Sequence, residues 1–138
     1  MRNPYILMGL VVLLAGIVYA QDDMQRPPKM TDAQLQQYYS AYNDAYFDGN
    51  LPAAQVKFVH NLSSDGSEDM GLTEGPPFII YLSDVYQDND RITLMTEAHE
   101  ICHVAIAARG QEELDAHGPL FQHCMTRLAE EGAFKDLW

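Results

Sequence analysis

His99-Glu100-Ile101-Cys102-His103 is the stretch on which the reading of this chain turns, with His117 following in His117-Gly118-Pro119-Leu120-Phe121. On a helix, residues four apart leave the same face one turn apart, so the imidazoles of His99 and His103 can share a metal ion. Glu100 then stands beside the ion, placed to take a proton from water. The pattern predicts zinc as the metal and peptide-bond hydrolysis as the chemistry, with Glu100 as general base. The surrounding residues agree with a helix. Between Asp90 and Arg109, Ile92, Leu94, Met95, Ala98, Ile101, Cys102, Ala105 and Ile106 read as a largely buried helix, capped by Asp90 and closed at Gly110.

Zinc in catalysis takes three protein ligands and keeps one position open, so a third donor must come from downstream. His117 is the expected ligand. It lies just before a second helix read from Gly118 to Glu131, with Pro119 at the first helical position and Leu120, Phe121, Cys124, Met125 and Leu128 as its apolar stripe. The extended H-E-x-x-H-x-x-G-x-x-H pattern is excluded, because Ile106 and Arg109 stand where it needs Gly and His. Glu112, Glu113, Asp115, Glu130 and Glu131 are the alternative donors should the connecting loop fold otherwise. Glu97, Glu113 and Asp115 are candidates to orient a ligand imidazole, and His123 and the tyrosines to stabilise an oxyanion. His60 reads as structural or exposed rather than as a ligand.

At these residues the chain resembles the SprT-like (Spartan-type) zinc metallopeptidases. The resemblance rests on His99 to His103, on His117 to Phe121, and on Tyr42-Asn43-Asp44-Ala45-Tyr46-Phe47-Asp48-Gly49-Asn50-Leu51-Pro52, which is similar to that family's opening helix and turn. It covers most of residues 31 to 131. The resemblance implies a small zincin-like domain in which His99, His103 and His117 bind zinc and Glu100 is catalytic. The sequence departs from the family in lacking a C-terminal four-cysteine zinc ribbon, in its acidity and in its N-terminal segment, and these departures argue against the family's association with DNA.

That segment reads as an export signal. Arg2 provides a positive start, Ile6 to Val18 is apolar, and Val18-Tyr19-Ala20 precedes Gln21, so cleavage after Ala20 is expected. The alternative is a membrane anchor over residues 5–20, though spanning takes about 20 apolar residues. The domain boundaries expected are 1–20 signal peptide, 21–30 flexible leader and 31–138 metallopeptidase domain, long enough for one core. The chain is acidic, with 8 Lys and Arg against 20 Asp and Glu and a net charge of -12. Such a surface lacks the basic clusters that a phosphate backbone requires, so a peptide or protein is the expected substrate and nucleic acid is not expected as a partner.

Upstream of the motif, Thr31-Asp32-Ala33-Gln34 reads as a capping box that starts a helix with Leu35, Tyr38, Tyr39, Tyr42 and Tyr46 on one face, packed on a sheet and stopped at Gly49. Gln55 to His60 reads as a strand, Asn61 to Asp69 as a loop, Met70 to Thr73 as a weak strand and Phe78 to Leu82 as a stronger one. The expected fold is α+β: an N-terminal helix, a two- to three-stranded sheet, the motif helix and a C-terminal helix. A substrate peptide could add to an exposed edge of that sheet. Cys102 and Cys124 fall on the two helices that must meet at the metal, as a disulfide, as two buried thiols or as a thiolate ligand. Asn61-Leu62-Ser63 matches a glycosylation acceptor. Three function classes follow: an exported zinc peptidase, a non-catalytic zinc-binding recognition module, and an intracellular SprT-like protease acting on DNA-bound proteins.

Overall fold

A computed structural model describes residues 28–137. The expected signal segment and most of the expected leader lie outside the described residues. Helix α1 (Asp32–Tyr46) is followed by β1 (Ala54–Val59), the short strands β2 (Ser63–Ser64) and β3 (Ser67–Glu68), then β4 (Gly71–Glu74) and β5 (Phe78–Ser83), and finally α2 (Asp90–Ala108) and α3 (Pro119–Glu130). Three strands form one sheet in the order β1-β5-β4, with β1 parallel and β4 antiparallel to β5, while β2 and β3 make a separate hairpin. The fold is α+β, as expected, with α1 and α2 packed on the sheet and α3 packed on α2.

Helix α1 starts where the capping residues place it. Thr31 accepts a hydrogen bond from the Gln34 main-chain N–H, and the Gln34 side chain accepts one from the Thr31 N–H at 2.8 Å. The helix ends at Tyr46, and Gly49 makes the turn at φ +70°, a conformation that suits a residue without Cβ. The tyrosine stripe is packing: Tyr39 and Tyr42 are buried, and their hydroxyls donate to the carbonyls of Pro52 and Ala133. Met30 belongs to the same core and not to a leader. It is buried, its N–H donates to the Gln87 carbonyl at 3.0 Å, and Gln87 Nε2 donates back to its carbonyl at 2.8 Å.

On β5, Phe78, Ile80 and Leu82 alternate inward toward α2, and Val56 of β1 lies level with Ile80. Leu35, Ile80, Ile101, Val104 and Leu128 are fully enclosed where α1, the sheet, α2 and α3 meet, each burial worth about 1.5–3 kcal/mol. Helix α2 is capped one residue earlier than expected: Asn89, not Asp90, accepts from the Ile92 N–H at 3.1 Å. The stretch read as a plain loop from Asn61 to Asp69 contains the β2–β3 hairpin, turned at Asp65 and Gly66, both with positive φ. Among the described residues no helix is long and apolar enough to cross a membrane.

Candidate metal centre and its cleft

Helix α2 presents His99 and His103 one turn apart, half-buried, and the segment before α3 brings the exposed His117 against them. His99 Nε2 lies 3.3 Å from His103 Nε2 and 3.1 Å from His117 Nε2. The three ring nitrogens fall within 4.8 Å of one another and could hold a metal ion. Burial holds His99 down to about 4, helped by the neighbouring His103 and His117, and burial likewise lowers His103. Each imidazole so affected offers a lone pair at neutral pH, the form that binds metals.

Each histidine is fixed by its surroundings. Phe121, buried at the start of α3, stacks on His103 at 4.7 Å and 22°, and its ring also lies within 4.6 Å of His99 and 4.8 Å of His117. His117 is held through its main chain: its N–H donates to Asp115 Oδ1 at 3.0 Å, and its carbonyl accepts from Gln122 Nε2 at 3.2 Å. Helix α3 begins at Gly118, which has no side chain to cap it, and Glu113 takes that role. Its two carboxylate oxygens accept from the Leu120 and Phe121 N–H groups at 2.7 and 3.1 Å, where a negative charge also suits the helix dipole. A Cβ at Gly118 would lie 2.7 Å from Glu113 Oε1, so glycine makes this approach possible. A disulfide joins Cys102 to Cys124, tying the helix of His99 and His103 to the one that follows His117. Of the three states open to these cysteines, the bridge is the one observed.

Glu100 lies on the same face as the histidines, 4% exposed, and lines with them a cleft of about 1080 Å³. Burial raises its pKa to about 7, against the lowering effect of the Thr73 hydroxyl, and nearby Asp69 adds to the rise. Thr73 Oγ1 donates to Glu100 Oε2 at 2.7 Å. Gln111, Glu112, Glu113 and Ala116 of the loop before His117, and Met125 of α3, line the same cleft as β4.

Several expectations about the neighbours are corrected. Glu113 caps a helix and, among the described residues, makes no hydrogen bond to an imidazole, acting on His103 only through its charge; Asp115 acts on the main chain of His117; Glu97 is buried with neither oxygen hydrogen-bonded among the described residues. His123 is exposed and lines a separate small pocket with Arg109 and Arg127, and no tyrosine among the described residues lines the cleft, so none of these is placed to stabilise an oxyanion there. His60, outside the cluster as expected, pairs with Asp84 at 3.1 Å. Three contributors escaped the sequence reading: Thr73, Phe121 in its contact with the imidazoles, and Gly71, discussed below.

A helix bearing two histidines four apart, joined by a third from outside it, with a buried glutamate alongside, defines a metalloprotease-type domain. The chain belongs to the SprT-like family, whose model matches residues 35–136. No curated protein matches the chain.

Proposed function

We propose that this chain is an exported zinc-dependent peptidase, with His99, His103 and His117 as ligands and Glu100 as general base. The observation that carries the reading is Glu100 itself: a carboxylate withdrawn from water, beside three converging imidazoles, facing a cleft and held by a hydroxyl. A site that only recognised or stored a metal would have no need of that carboxylate. The donor set suits zinc, being three nitrogens at the wall of an open cleft. Bound there, zinc supplies Lewis acidity, polarising a scissile carbonyl and making water a stronger acid. Glu100 accepts the proton of the attacking water and returns it to the leaving amine; a pKa near neutrality suits both transfers.

Strand β4 is the natural rail for the substrate. Among the described residues it pairs with β5 alone, and the Ser83 N–H donates to the Met70 carbonyl at 2.9 Å. The antiparallel alternation then turns the main-chain groups of Gly71 and Thr73 away from β5, toward the open edge, where an extended peptide can pair with them. The Cys102–Cys124 bridge favours an oxidising compartment, in line with the export signal read at residues 1–20. The acidic surface favours peptide over nucleic acid.

The test is hydrolysis of an unstructured protein such as casein by wild type, Glu100→Ala and His117→Ala, with zinc content measured in each. Activity lost in both variants, with about one equivalent of zinc kept only in Glu100→Ala, is the expected result. Wild-type protein that binds zinc and cleaves nothing would turn the reading toward a recognition module.

A further inference from the structure

Glu100 is reached from β4 by two residues of one strand face. Thr73 Oγ1 lies 2.7 Å from Glu100 Oε2 and 3.3 Å from the Glu100 carbonyl oxygen, so one hydroxyl sits against both ends of the residue. Two positions earlier on the same face, a Cβ at Gly71 would lie 2.8 Å from Glu100 Oε1 and 2.8 Å from Thr96 Cγ2. The strand therefore packs its bare main chain on one carboxylate oxygen and hydrogen-bonds the other. Gly71 and Thr73 are also the residues whose main-chain groups face the open edge of the sheet.

We infer that Thr73, with Gly71 beside it, is a positioning residue for Glu100, and that it ties the aim of the general base to the strand on which the peptide docks. This rests on the peptidase reading above. A glutamate side chain has several rotatable bonds and loses its geometry readily when unsupported. In Glu100 the freedom is removed from both sides by a strand whose other edge holds the substrate, so scissile bond and base share one frame. The main chain of Thr73 serves substrate binding, and its hydroxyl serves the base. The two roles separate by substitution, because valine keeps the shape and main chain of threonine and puts a methyl in place of the hydroxyl.

The experiment compares wild type, Thr73→Val, Thr73→Ser and Glu100→Gln for peptide hydrolysis, zinc content, melting temperature and affinity of the metal-free protein for an uncleavable peptide analogue. The expected result for Thr73→Val is a fall in kcat of roughly 10- to 100-fold, the size of effect that misplacing a reacting group by about 1 Å produces. KM, zinc content and analogue affinity should stay at wild-type values, and Thr73→Ser should recover most of the rate. A Thr73→Val enzyme with undiminished kcat overturns the inference and leaves the peptidase reading standing. So does a loss that serine fails to rescue and that follows melting temperature or zinc content, since that is the mark of a merely structural contact. Wild type as inactive as Glu100→Gln overturns the peptidase reading and this inference together.

Discussion

Helix α2 buries two glutamates three positions apart, and they are treated in opposite ways. Glu97 and Glu100 are 0% and 4% exposed, and burial is the first cause of a raised pKa in both, to about 9 and about 7. Glu97 sits close enough to α1 to disfavour ionisation of Tyr38, Tyr39 and Tyr42, and among the described residues neither of its oxygens has a hydrogen-bond partner. Glu100 opens on the cleft and takes the Thr73 hydroxyl. Burial alone makes a carboxyl hold its proton; burial with an oriented donor and an open side makes one that can exchange it near neutrality. On this comparison Glu97 suits a neutral filler of the core at physiological pH, and Glu100 suits the acid–base role proposed for it.

The sharpest break between the two is kinetic. Glu100→Gln keeps the size of the side chain and removes the base, and peptide hydrolysis should fall by about 10²- to 10⁴-fold with zinc retained. Glu97→Met should stay close to the wild-type rate. Next in size is the metal itself: losing a group that merely supports a ligand costs about 10- to 100-fold in affinity, and His117→Ala, which removes a proposed ligand, should exceed that in a competition assay against a chelating dye.

The tie between the front of α2 and α3 comes third. Replacing both Cys102 and Cys124 by Ala opens a bridge with a sequence separation of 22, and denaturant unfolding should show a loss of about 3 kcal/mol. The smallest effect is the most specific to the comparison. Both acids have folded values above the ordinary 4.5, so the unfolded chain ionises first and stability falls as pH rises, through about 7 for Glu100 and about 9 for Glu97. In metal-free protein, Glu97→Met should therefore flatten the decline in melting temperature between about pH 7 and 9, and Glu100→Gln should leave that window unchanged. Equal curves for wild type and Glu97→Met would mean that Glu97 finds a partner or water in solution.

What the sequence showed plainly were features whose cause is local. The Thr31–Gln34 capping box, Pro119 at the start of α3 and the one-turn spacing of His99 and His103 all act within a few residues, and each stands where the pattern puts it. His117 was legible because histidine is a common zinc donor and the following helix fixes its backbone. Thr73 was not: β4 is four residues long with little apolar alternation, and its hydroxyl meets a residue 27 positions away. The Asp65-Gly66 turn carried a hairpin signal, but the flanking strands are two residues each and show no pattern of their own. Glu113 was open to a wrong reading for a tertiary reason, since the helix it caps begins five residues later at a glycine that cannot cap itself. The cysteine pairing stayed open because helix positions give a face and not a distance between helices.

The most direct test of the central claim is a zinc titration of chelator-stripped wild-type protein, followed by peptide hydrolysis at each step. The account predicts that activity rises from the stripped baseline in proportion to added zinc and levels off at one equivalent, as three converging imidazoles would impose. Hydrolysis that survives stripping, or zinc that binds at one equivalent without restoring any cleavage, would contradict it.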